Sequence, residues 1–199
     1  YLFGDRFAQF GQDLRSVSVS GGISSGVTQG TTWRWLAGYT YEERTFSPLA
    51  GEVPPDPLPE DRTFGYPWIG FASIEDRFGT AINVDRIGRT EDLDLGRQYE
   101  LRVGWSDSSL GGDDQRRLVT QGSYRDGLLR SDKHLIFYGA LMSGYWNFDT
   151  NRSEQVSGTA YATYRQQQTG RFSLAATLVG RAVHNLPTDQ QLLGGGDTG

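Results

Sequence analysis

Residues 91–106 read EDLDLGRQYELRVGWS, and their alternation decides the fold. The odd positions carry Leu93, Leu95, Arg97, Tyr99, Leu101, Val103 and Trp105; the even positions carry Asp94, Gly96, Gln98, Glu100, Arg102, Gly104 and Ser106. A strand turns successive side chains to opposite faces, so this is one apolar face and one polar face. A helix would scatter the same residues around its circumference. The stretch therefore predicts a single strand, longer than the five or six residues or so of a soluble sheet. A strand that crosses a bilayer takes about 9–11 tilted residues, with aromatic rings near the interfaces. The eight steps from Arg97 to Trp105 rise roughly 19 Å at ~3.3 Å each and a ~45° tilt. With its flanks the strand matches an apolar band of about 25 Å. It reads as one stave of an outer-membrane β-barrel.

Composition narrows the classes. Mean hydropathy is −0.52 and no run of eighteen apolar residues occurs, which excludes a helical membrane protein. The 27 glycines and 13% aromatics suit strands that bend and carry interfacial girdles. The absence of cysteine fits an envelope protein that avoids stray disulfides. The net charge of −5, with Lys133 the lone lysine, leaves no basic stripe for phosphates, so nucleic acid is excluded as a general partner. No signal peptide is visible, which implies either its removal or a chain cut from something longer.

Outward from the central stretch, the same period recurs. Residues 14–25 alternate Val17, Val19, Gly21 and Ile23 with a row of Ser and Gly. Residues 31–43 place Trp33, Trp35, Ala37, Tyr39 and Tyr41 opposite Arg34, Leu36, Gly38, Thr40 and Glu42. Five of the seven prolines fall within 44–63, which predicts a long loop on the outer side. Residues 64–76 return as a strand whose faces do not separate, and 77–90 form a connection with a short strand at 80–84. Further strands are predicted at 115–126, 134–147, 154–166 and 171–184, eight in total, with 134–147 of unassigned register. Connections after the second, fourth and sixth are loop-like; those after the first, fifth and seventh are short turns. The connection after the third is longer than a periplasmic turn should be.

This arrangement names candidate residues. Trp33, Tyr41, Tyr99 and Trp105 are placed at the membrane interfaces, at the two edges of one apolar band. Arg34, Glu42, Glu100, Arg102, Arg171 and Arg181 are placed on the lumen. Two readings of these charges stay open: a transverse field that docks an inward-folded loop, or a hydrated ladder of salt bridges. No catalytic or metal site is predicted, and no cofactor. His134 and Ser143 lie on one strand about 30 Å apart at 3.3 Å per residue, too far for a nucleophile and its base. No cysteine or His-Glu cluster has metal spacing, and Asp126, Asp132 and the loop acids, which could bind calcium, read by default as solvated loop residues. Gly194, Gly195, Gly196 and Asp197 lack the Lys-Ser/Thr of a phosphate loop.

The final stretch, PTDQQLLGGGDTG at 187–199, resembles the run-up to the sixth outer loop of the BamA/TamA-like outer-membrane superfamily, the bacterial surface antigen family. In that family a Gly-Gly pair, here Gly195 and Gly196, stands three residues before a hydrophobic-Arg-Gly-aromatic tip. That tip would begin just past Asp197, Thr198 and Gly199. The resemblance implies an all-β, antiparallel up-and-down transmembrane barrel of about sixteen strands. Residues 1–199 would be a partial barrel domain, an open arc whose first and last strands do not pair. It implies a non-enzymatic factor of outer-membrane protein insertion or two-partner secretion, located in the bacterial outer membrane. Its partners would be outer-membrane lipid, a client or secreted polypeptide, and the remaining strands and periplasmic repeats of a parent protein. The alternatives are a small outer-membrane pore, a lumenal enzyme barrel, or a soluble all-β binding module.

Overall fold

The structure is a computed structural model that describes residues 10–51, 53–82, 89–130, 134–166, 174–187 and 189. Ten strands follow one another: β1 (Phe10–Thr28), β2 (Thr31–Pro48), β3 (Arg62–Glu75), β4 (Phe78–Ile82), β5 (Thr90–Asp94), β6 (Gln98–Ser106), β7 (Arg117–Arg130), β8 (His134–Asn147), β9 (Arg152–Gln166) and β10 (Leu174–His184). Eight of them make one antiparallel sheet in the order β1-β2-β3-β6-β7-β8-β9-β10, and β4 pairs with β5 in a separate hairpin. The large sheet is up-and-down, so its ends differ. The turn at 29–30 lies at one end, here the turn end, and the loops at 49–61, 107–116 and 148–151 lie at the other, the loop end.

Register keeps the two faces separate across the whole sheet. Ile23, Trp35, Phe71, Leu101, Gly122, Met142, Gly158 and Ala182 form one cross-strand row without a polar side chain. The next row, on the opposite face, reads Ser24, Arg34, Ala72, Glu100, Ser123, Leu141, Thr159 and Arg181. A one-residue slip in any strand would exchange the two sets, so this patterning is what fixes register. It also settles β8, whose faces the sequence left open: Ala140, Met142 and Trp146 lie on the apolar side, Leu141, Ser143, Tyr145 and Asn147 on the other.

The polar-row face is concave. Phe64 on β3 and Tyr145 on β8 stack with ring centroids 4.7 Å apart, although two strands lie between them. In a flat sheet those backbones would stand about 14 Å apart with side chains parallel, so the sheet must curl toward this side. Phe64, Tyr66, Trp68 and Val119, with Leu36 and Tyr145, form a core near the loop end of that hollow. The opposite, convex face carries most of the exposed large apolar groups: Val17, Val19, Ile23, Trp35, Ile69, Leu101, Met142 and Leu178 are each more than a third exposed. Among the described residues β1 and β10 each pair on one side only, and 14–25 makes no ladder with 174–184.

One expectation is overturned. Residues 91–106 are not a single strand: β5 ends at Asp94 and β6 begins at Gln98. Leu93 and Leu95 do not share the outer face of Tyr99 and Leu101; they are buried with Ala81 and Leu135 in a second small core that Leu129 and Phe137 complete. The physical cause lies at Gly96. A Cβ there would sit 1.9 Å from the Glu75 carbonyl oxygen, a closeness only glycine permits. Asp94 turns the chain locally, its carboxylate accepting from the Gly96 amide at 3.1 Å and from Gln98 Nε2 at 2.9 Å. Leu95 then accepts from the Gly127 amide at 3.1 Å while donating to the Arg77 carbonyl at 2.9 Å. The β4–β5 hairpin is thereby folded back under the turn end of the concave face, and this is what the overlong connection contains.

Candidate functional site on the concave face

Side-chain direction in β2, β3 and β6 to β9 brings a set of polar groups into one hollow. A recess of about 470 Å³ is lined by Glu100, Arg102, Gln121, Ser143, Ser157 and Thr159 among others. A second, about 320 Å³ and nearer the turn end, includes Arg34, Gln98, Arg125 and Tyr161. Of the predicted lumen charges, Arg34, Glu42, Glu100, Arg102 and Arg181 fall on this face, and Glu42, Glu100 and Arg102 are paired along their own strands. Glu100 accepts from Arg102 Nε, and Glu42 accepts from Arg44 Nε at 2.6 Å. Residues two apart on a strand share a face, so such pairs form without crossing the hollow. The Arg102 guanidinium also covers the Trp68 ring, 4.7 Å from its centroid. Arg34 and Arg181 stand in the Glu100 row, near opposite margins of the sheet. Arg171 lies outside the described residues, as do Gly195, Gly196, Asp197, Thr198 and Gly199 of the family-like stretch.

The loop end is closed by a polar hub that sequence reading missed. The Arg117 side chain is 5% exposed and donates to Asp113 Oδ1 at 2.5 Å, Gln115 Oε1 at 2.5 Å and Glu154 Oε2 at 3.0 Å. Its guanidinium lies 5.1 Å from the Phe64 centroid. Fully buried Asn147 donates to Gln115 and Glu154 and accepts from the amides of Asp149 and Thr150. Outside the strands, Asp149 accepts from Arg116, whose hydrogen bonds hold its carboxyl below the usual carboxylate range. Asp107 is lowered likewise, first by Ser109 and then by the Trp105 indole N–H at 2.8 Å. Nothing in the spacing of these residues marks them; they meet because loops 107–116 and 148–151 are neighbours only in the folded sheet.

The β6 exit has its own cause. Pro67 lacks an amide, and the β3–β6 ladder ends at Trp68 paired with Gly104. The loop then packs over Gly65, where an added Cβ would meet Leu110 and Gly111 backbone at 2.5 Å, and Tyr39 donates to the Leu110 carbonyl at 2.7 Å.

At the turn end, Arg77 reaches Asp126 at 2.6 Å and the Gly127 carbonyl at 3.0 Å, and Tyr138 also donates to Asp126 at 3.0 Å. This staple ties the chain leading into the hairpin to β7. The four predicted interface aromatics lie on the convex side. Trp33 and Tyr99 meet near the turn end, ring centroids 6.4 Å apart, with Phe71 against both. Tyr41 and Trp105 lie toward the loop end, Tyr41 opposite Gly65 and Trp105 5.2 Å from Phe148.

His134 and Ser143 stand on opposite faces of the sheet. His134 is on the convex face with its Nδ1 2.8 Å from the Tyr164 hydroxyl, whereas Ser143 is on the concave face beside Ser157 at 2.9 Å. Among the described residues no group of three or more His, Cys, Asp or Glu could hold a metal ion. No family model, curated protein or solved structure matches the chain.

Proposed function

We propose that the chain is a membrane-spanning arc of a bacterial outer-membrane β-barrel that handles polypeptide, in protein insertion or two-partner secretion. One observation carries the membrane reading: the apolar row from Ile23 to Ala182 runs across all eight strands and is backed by a polar row. A soluble sheet with so large an apolar face needs a second layer over it; in a bilayer that layer is lipid. Among the described residues the outer flanks of β1 and β10 pair with no strand, which supports an arc of a larger barrel, since open edges do not persist in hydrocarbon. The approximately sixteen-stranded parent and the polypeptide-handling role rest on the resemblance of 187–199 to the surface antigen family. The hollow supports that role by its chemistry, being lined with hydroxyls and locally paired charges that hydrate an extended chain without gripping it.

The orientation that follows puts the proline-rich loop 49–61 outside the cell and the turn at 29–30 in the periplasm. Protease added to intact cells should cut within 49–61; cutting at the turn end instead inverts the topology. Vesicles carrying the parent barrel should speed insertion or passage of an unfolded outer-membrane polypeptide. Leakage of small solutes without any effect on polypeptide would favour the passive pore.

A further inference from the structure

At the loop end of the concave face, two arginines from neighbouring strands converge on one carboxylate. Arg62 donates from Nη1 to Asp189 Oδ1 at 3.0 Å and from Nη2 to Oδ2 at 2.7 Å. Arg44, its register partner on β2, places Nη1 3.9 Å from the same Oδ2. The Arg62 guanidinium also lies 5.3 Å from the Phe46 ring centroid. The Asp189 side chain is 1% exposed and that of Arg62 10%. Two parallel N–H···O bonds to one planar group are the geometry in which a guanidinium recognises carboxylates most selectively.

The balance of charge makes this a site rather than a chance contact. Glu42 already occupies Arg44 Nε at 2.6 Å, so two guanidiniums face two carboxylates only while Asp189 is present. Without Asp189 a largely buried positive charge is left uncompensated, which is strongly unfavourable unless another anion enters. Arg62 Nε is buried with no partner, so the cradle also holds a donor that Asp189 leaves unused.

Asp189 reaches this cradle from the far side of the arc. Asn185 is fastened to β9, its carbonyl accepting from the Gln155 amide and its Nδ2 donating to the Ser153 carbonyl, both at 2.9 Å. Four residues on, the chain has advanced at most about 14 Å. Asn185 on β9 and Asp189 on Arg62 of β3 therefore bring the two margins of the arc within that reach at the loop end.

We infer that Arg44, Arg62 and Phe46 form a carboxylate-binding site whose resident occupant is the chain's own Asp189, and that an acidic side chain of a second polypeptide takes the same place when Asp189 withdraws. The identity of that second occupant rests on the polypeptide-handling role proposed above; the cradle itself does not. A carboxylate is the assigned occupant because the resident group is one, the Asp189 carboxylate filling both Arg62 Nη donors.

The test uses the full chain in detergent with Asp189→Ala and follows the unfolding midpoint during titration with sodium acetate, against sodium chloride at equal ionic strength. A ligand that binds only the folded state raises the midpoint saturably. Acetate should do so for Asp189→Ala, leave the parent sequence unchanged, and have no effect once Arg62→Gln is added. N-acetylaspartate amide should replace acetate. If Asp189→Ala does not fold, Asp189→Asn keeps the shape and should show the same response at least tenfold more weakly. An equal response of parent and variant, or persistence after Arg62→Gln, overturns the cradle. Tighter binding of inorganic phosphate than of acetate overturns the carboxylate assignment, and failure of the aspartate amide where acetate succeeds overturns the polypeptide occupant. All arms are read without lipid, so their failure leaves the membrane reading standing, and failure of that reading in vesicles leaves them unchanged.

Discussion

The Gly127 amide donates to the Leu95 carbonyl at 3.1 Å, and this bond marks where the chain leaves the wall of the sheet for the hollow inside it. Gly127 is itself hemmed in, since a Cβ would lie 3.0 Å from Leu95 Cα and 2.8 Å from Phe137 Cε1. Wall and hairpin therefore meet backbone to backbone. The contact fastens Leu93 and Leu95 over Leu135 and narrows the turn end of the concave face.

Replacement of Gly96 by Ala should be costly. Its Cβ would fall 1.9 Å from the Glu75 carbonyl oxygen, and backbone on both sides must move. A loss of about 1–3 kcal/mol is expected from such overpacking. Gly158 and Gly180 have nothing within 4 Å of an added Cβ. Their Ala variants should stay within about 0.5 kcal/mol of the parent. Urea unfolding in one detergent measures all three, and an unaffected Gly96→Ala would remove the close approach from the account.

Acid should loosen the loop end before the sheet. Asp149 is held below the ordinary carboxylate range chiefly by hydrogen bonds from the Arg116 side chain, and its Oδ2 also accepts the Arg116 amide at 2.7 Å. A group whose folded pKa is depressed contributes fully above its unfolded value, about 3.9. The contribution is lost as pH falls through the lower folded value. Proteolysis within 148–151 by an acid-active protease should therefore accelerate below about pH 4 and be flat from pH 5 to 7 or so. Asp149→Asn should abolish that dependence. An accelerated cut already at neutral pH in the parent sequence would contradict the pairing.

Much of this was legible because β-structure writes its faces at period two. The rows of Trp33, Trp35 and Tyr39, and of Arg34, Leu36 and Thr40, stand where alternation put them, and the eight-stranded up-and-down sheet follows. Alternation failed at residues 91–97 because it reports a buried face without saying which surface buries it. Leu93 and Leu95 keep the period of β6 yet pack on a different core. The one available signal was Gly96, since an isolated glycine in a strand pattern marks a bulge or a close backbone approach. The hub of Arg117 and Asn147 and the cradle around Asp189 had no such signal. Their partners lie 37 and 127 residues apart in the chain and converge only through curvature, which no local pattern encodes.

The central claim is that the convex face meets hydrocarbon while the concave face meets water. The chain has no cysteine, so single cysteines carrying a nitroxide label report one position at a time. Labels at Thr120, Gly122 and Met142 on the convex side, and at Gln121, Ser123 and Ser143 on the concave side, test adjacent residues of β7 and β8. In lipid vesicles accessibility should alternate strictly along each strand: the first set accessible to dissolved oxygen and shielded from a water-soluble nickel chelate, the second set the reverse. Equal access of the chelate to both sets would contradict it and return the sheet to water.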